Sequence, residues 1–201
     1  MKKIFLVPLF AMVSFFVTAQ EYSWRLTYDV SIPVGELRSD YIEAMSWRGI
    51  GIDNRWMIQD KLSVGFAASW HAFYEKKDNT LETTESGDFS AYGNQFRYLN
   101  TWIMQANIHY YLGQEGSINP WVGLGIGTAY SVQRMELGFY AYSYKPWSFS
   151  LAPQIGVDVP IGMNTDFTIA ARYNMLMNAE DNATSDFNYV GINVGFKFYV
   201  F

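Results

Sequence analysis

Ser69, His71 and Glu75 place a hydroxyl, an imidazole and a carboxylate within one short stretch. Such a set could run acyl transfer, with the acid orienting the imidazole and the imidazole taking the hydroxyl proton. The spacing argues against it. In an extended chain Ser69 and His71 share a face about 7 Å apart, from roughly 3.3 Å per residue, and Glu75 is farther still. A polar interior is the better reading. "GLGIGTA", Gly123 to Ala129, has the glycines of a phosphate-binding loop. That chemistry needs a strand, a turn and a helix N-terminus. Here the glycines alternate with Val122, Leu124, Ile126 and Thr128, and no helical period follows. The two histidines, His71 and His109, fall on different segments near opposite ends, which disfavours a shared metal site. With no cysteine, thiolate ligands, a cysteine nucleophile and disulfides are excluded.

What remains is a set of charges that never fall on apolar faces. Arg25, Arg55, Arg97, Arg172 and Lys197 alternate with apolar residues, as do Asp29, Asp53, Glu75 and Asp158. The elements that carry them have a period of two. Tyr22, Trp24, Leu26, Tyr28, Val30 and Ile32 stand opposite Ser23, Arg25, Thr27, Asp29 and Ser31. The last segment sets Val190, Ile192, Val194, Phe196, Phe198 and Val200 against Tyr189, Gly191, Asn193, Gly195, Lys197 and Tyr199. Eight segments follow this rule, and none shows a sustained helical period.

The connections alternate in length. Short ones fall near Gln59 to Lys61, Gly113 to Asn119 and Pro160 to Thr165; long polar ones near Pro33 to Ser46, Lys76 to Asn94, Arg134 to Pro146 and Met177 to Asn188. This predicts an all-β, eight-stranded, antiparallel, transmembrane up-and-down β-barrel with long outer loops. An eight-stranded lumen is just wide enough for side chains to fill. Trp24, Tyr28, Trp56, Phe66, Trp70, Trp102 and Phe198 would overcrowd it, whereas the Gly-, Ser- and Ala-rich face fits. The apolar face is therefore expected to meet lipid. Aromatics at 18% exceed charged residues at 16%, which suits strands with interfacial anchors.

The basic Met1-Lys2-Lys3, the apolar run after it and Val17-Thr18-Ala19 predict a secretory leader over 1–19. The barrel is expected over 20–201. Without the leader's two lysines the chain is more acidic than its formal net charge of -5, so nucleic acid is not an expected partner.

The tail resembles the C-terminal insertion signal of Gram-negative outer-membrane barrels, carried by Asn193, Gly195, Phe198, Val200 and Phe201. "SWRGIGIDNRWMIQDKLSVGFAASWHAFYE", "PWVGLGIGTAY" and "LAPQIGVDVPIG" look like the small "porin family" outer-membrane proteins grouped with OmpX and OmpW. The resemblance implies an outer-membrane location, both termini periplasmic and the barrel-assembly machinery as a partner during insertion. It implies no single activity. Pro153, lacking a ladder donor, predicts a local bulge.

The leading expectation is a non-enzymatic barrel with a structural or binding role and no cofactor. Its interior would be plugged by Arg25, Asp29, Asp53, Arg55, Arg172 and Lys197. Outer-membrane lipid and lipopolysaccharide are expected partners. A larger outer-membrane protein is another, met through the aromatic third loop with Tyr140, Tyr142, Tyr144 and Trp147. The alternatives are a narrow channel for small or apolar solutes and, remotely, a lipid-A-modifying enzyme around His71.

Overall fold

β-Branched and aromatic residues on every second position favour extended chain, and the glycine- and serine-rich opposite faces let strands close tightly. The computed structural model describes residues 22–83, 90–114, 116–178 and 186–200. The expected leader and Phe201 lie outside them. The strands are β1 (Tyr22–Pro33), β2 (Gly49–Gln59), β3 (Leu62–Thr83), β4 (Ser90–Tyr111), β5 (Asn119–Leu137), β6 (Tyr140–Tyr144), β7 (Trp147–Pro160), β8 (Thr165–Asn178) and β9 (Tyr189–Val200). All but β6 build the wall, each pairing antiparallel with its neighbours. β9 pairs with β1 from Tyr22 opposite Val200 to Pro33 opposite Tyr189, so the eight-stranded wall closes on itself. The protein is an eight-stranded antiparallel transmembrane β-barrel.

The faces sort as the alternation requires. Arg25, Asp29, Asp53, Arg55, Asp158, Arg172 and Lys197 are buried within. Leu26, Tyr28, Ile50, Phe66, Trp102, Ile126, Phe149, Ile155 and Phe198 are exposed on the outside. Exposed apolar residues in continuous bands are the mark of a lipid-facing surface.

Three connections differ from the sequence reading. The stretch from Lys76 to Asn94 is largely a β3–β4 hairpin, pairing out to Thr83 opposite Ser90 with a register shift between Lys77 and Thr80. The third connection is also hairpin: β5 continues to Leu137 and β6 folds back on it, turning at Gly138 with φ +58°. The first connection goes inward. Its five-residue π-helical turn, Leu37–Tyr41, carries Leu37, Tyr41 and Ile42 into the barrel mouth. Those residues are apolar at irregular spacing, which period-two reading passes over.

Pro153 makes no bulge. β7 and β8 pair at Leu151 with Met175 and resume at Gln154 with Arg172 in unchanged register. Pro153 points outward and keeps its register with Leu124 of β5. The missing N–H thus interrupts the ladder toward β8 without inserting a residue.

Candidate functional site: the filled interior

At the end of the barrel with the short turns, strands β1, β2, β4, β5, β7, β8 and β9 send in charged and aromatic side chains. Arg25 Nε donates to Asp53 Oδ2 at 2.8 Å, and its Nη2 bonds the same oxygen. Arg55 Nε lies 3.4 Å from Asp53 Oδ1, and its Nη1 donates to the Tyr111 hydroxyl at 2.7 Å. Asp158 accepts from Trp121 Nε1 at 2.9 Å, Thr168 Oγ1 at 2.8 Å and Lys197 Nζ at 3.2 Å. Lys197 also donates to the Tyr199 hydroxyl at 2.9 Å, which donates to Asp166 at 2.6 Å. The guanidiniums of Arg55 and Arg25 stack on the Trp121 ring at 4.3 and 5.0 Å. Arg25, Arg55 and Lys197 thus face Asp53, Asp158 and Asp166, a balanced and bonded set that tolerates burial.

The opposite end is filled differently. Leu37 and Ile42 from the first connection pack with Phe73, Leu99, Ile103, Leu176, Phe187 and Tyr189. Arg97 Nη1 donates to the Tyr41 carbonyl at 2.7 Å and the Asp40 carbonyl at 3.2 Å, clamping the π-helical turn. The Tyr41 hydroxyl donates to the Arg134 carbonyl at 2.9 Å, with the Tyr98 carbonyl 3.0 Å away. Burial pushes the Tyr41 phenol up to about 12, with the nearby Arg97 guanidinium pulling the other way.

Between the two ends, His71 Nε2 is 3.2 Å from Ser69 Oγ, and Nδ1 is 3.0 Å from Ser31 Oγ. Strand spacing alone had set Ser69 and His71 too far apart to bond, but the imidazole bends back along the wall. The acid near His71 is Asp29, with Oδ2 4.0 Å from Nε2. Glu75 instead accepts from the Glu43 backbone N–H at 2.8 Å.

Of the six interior residues expected to form one network, Arg25, Asp53, Arg55 and Lys197 come together. Asp29 and Arg172 stand apart, Arg172 Nη2 donating to Gln154 Oε1 at 3.1 Å. Asp158, read on the polar face, turns out to be the hub, linking Arg55 and Lys197. Asp166 precedes the alternating run of its strand, and Trp121 and Tyr111 are aromatics on the inner face; their signal was the phase of the alternation, not residue type. His109 sits against Trp121, opposite Ser63, and His71 opposite Thr101, far along β3 and β4. In the tail, Asn193 is buried while Phe198 and Val200 face out. Tyr140 and Tyr142 are exposed and Tyr144 half-buried on β6. Trp147 belongs to β7 and packs on Tyr130 with ring centres 5.1 Å apart.

No protein-family model matches the chain, and no curated protein matches it in sequence. Solved structures share its fold. The outer membrane protein OprG of Pseudomonas aeruginosa is 14% identical with a TM-score of 0.53, covering 90% of this chain and 96% of that one. Ail, the attachment invasion locus protein of Yersinia pestis, solved with the heparin analogue sucrose octasulfate, is 12% identical with a TM-score of 0.51, covering 90% and 97%. Neisserial surface protein A is 12% identical with a TM-score of 0.51, covering 91% and 97%. An apolar outer belt, a polar filled lumen and these likenesses over nearly the whole chain give this protein the fold of a small Gram-negative outer-membrane β-barrel.

Proposed function

We propose that the protein is a sealed, non-enzymatic outer-membrane barrel with a structural or binding role, exported by a cleaved leader over 1–19. The observation that carries this reading is the filling at both ends: an ion-paired network at one and a clamped apolar plug at the other. Neither leaves a lumen for solute transit, which counts against the channel alternative. The Ser69–His71–Asp29 group lies inside the wall beneath the plug, so a lipid-A acyl chain has no route to it. Tyr22 and Val200, where the described chain begins and ends, lie at the short-turn end, on our reading periplasmic, with outer-leaflet lipopolysaccharide around the other rim. Asn193, Gly195, Phe198, Val200 and Phe201 then serve the assembly machinery during insertion.

Planar-bilayer recording of the purified barrel tests the seal. No stable conductance is expected. Steady openings in the nanosiemens range would overturn the proposal in favour of a channel.

A specific observation favours a binding role over a purely structural one. Tyr140 and Tyr142 project from β6, at the hairpin end and beyond the girdle position held by Trp147 and Tyr130. Rigid, amphipathic tyrosines fixed on a strand suit protein contact. On this reading the barrel is an accessory subunit of a larger outer-membrane assembly.

A further inference from the structure

Between the two plugs lies one pair of opposite charges that the protein does not join. Asp29 on β1 is 1% exposed and Arg172 on β8 is 5% exposed. Neither oxygen of Asp29 has a hydrogen-bond partner among the described residues, and neither does Arg172 Nε. His71 at 4.0 Å is too far to satisfy Asp29 directly. A buried carboxylate or guanidinium left without a partner is strongly disfavoured, so a folded barrel must answer both.

The surrounding atoms show how. Asn193 stands opposite Asp29 across the β1–β9 seam, and its Oδ1 is unpartnered. Asn174 stands opposite Tyr189, and both of its side-chain polar atoms and the Tyr189 hydroxyl are unpartnered too. Gly191 lies between them. A Cβ there would meet nothing nearer than Asn174 Nδ2 at 3.5 Å, so the missing side chain leaves room. Next to it, Arg25 and Thr27 of β1, Gly51 and Asp53 of β2 and Arg172 of β8, which is paired with Gly191, line a cavity of about 10 Å³. A Cβ on Gly51 would stand 2.9 Å from Asp29 Oδ2, which puts the carboxylate at the edge of that space. That volume admits about one water molecule.

Donors and acceptors are both present. A bare cation would be repelled by Arg172 and Arg25, and a bare anion by Asp29 and Asp53. A neutral guest that donates and accepts fits all of them. We propose that bound water joins Asp29 to Arg172, in a hydrated chamber that Asn174, Tyr189 and Asn193 complete and the two plugs enclose. The barrel interior is then layered: an ion-paired plug, a hydrated central chamber and an apolar cap.

Water-to-protein cross-relaxation, read by NMR on the full barrel in nanodiscs, tests this. Signals from long-lived water are expected at the Gly191 N–H and the Asn174 and Asn193 side-chain amides. They should be at least halved in Asp29→Asn. Their absence from the unaltered protein would overturn the proposal, and needs no variant to fold. A double-mutant cycle with Asp29→Asn and Arg172→Gln reads the link itself. The double variant should unfold at a urea concentration no lower than the worse single one; additive losses would show that the two residues are independent. Replacing chloride by gluconate should leave the NMR signals unchanged. Any change on that exchange, gain or loss, would assign the chamber to an anion, against the proposal.

Discussion

At the scale of single residues, the interior shows how a buried charge is tolerated only through its neighbours. Asp158 accepts three hydrogen bonds and faces both Lys197 and Arg55. Asp158→Asn keeps the shape but takes from Arg55 and Lys197 the carboxylate they share. It should lower unfolding free energy by about 3–5 kcal/mol, measured by urea titration in detergent or lipid. Tyr41 gives a pH-dependent counterpart. Its phenol holds its proton more tightly in the folded plug than near 10 in the unfolded chain. Stability from this group is therefore complete below pH 10 and is lost as pH rises toward about 12. Proteolysis of the first connection should accelerate over that interval in the native protein. Tyr41→Phe should remove the pH dependence, and a persistent step in that variant would assign it to another group. At this scale the sequence was legible in part. Alternation identified the inward charges, but which carboxylate each cation reaches depends on strand stagger, so Asp158 was seen and its role as hub was not.

Among the elements, strand number and facing were readable because lipid outside and a narrow lumen inside leave one solution for residues such as Trp24 and Arg25. The plug was not. Leu37, Tyr41 and Ile42 obey no strand period, and a π-helical turn has no compact sequence signature. The β3–β4 extension was missed because outside the membrane both faces are polar, which removes the alternation while the ladder continues. Close approach between elements was equally hidden. A Cβ on Gly195 would stand 2.7 Å from Thr27 Cα and run into the Leu26 carbonyl of β1, at the closing seam. Gly127 meets β4 the same way, at Met104 and Gln105, which explains the glycines of "GLGIGTA" without any phosphate. Gly195→Ala should therefore slow refolding from urea into micelles, where no assembly machinery is present, and cost about 1–3 kcal/mol. Gly93→Ala on β4, where a Cβ would meet nothing nearer than 3.9 Å, is the control. Normal refolding of Gly195→Ala would leave its place in the insertion signal as the whole reason for the glycine.

For the whole molecule, the accessory-subunit reading makes a claim about company. Gentle extraction from native membranes should recover one large outer-membrane partner in fixed ratio. Tyr142→Ala should weaken that recovery, while Trp147→Ala, a girdle residue packed on Tyr130, should affect it less. Recovery of the barrel alone, under conditions that keep other outer-membrane assemblies intact, would defeat it. The hairpins described above also give the molecule a direction within the plane of the membrane. β3, β4, β5 and β6 rise as a tall sheet on one flank, whereas the connection after β1 is drawn down into the mouth. A cylinder with a level rim can meet neighbours equally from every side. Among the described residues this one carries a parapet along β3 to β6 and a low rim over β1, so a neighbour in the membrane meets Tyr140 and Tyr142 when it comes from the first flank and not when it comes from the second. Two copies rotated by half a turn are, to anything approaching along the surface, different objects.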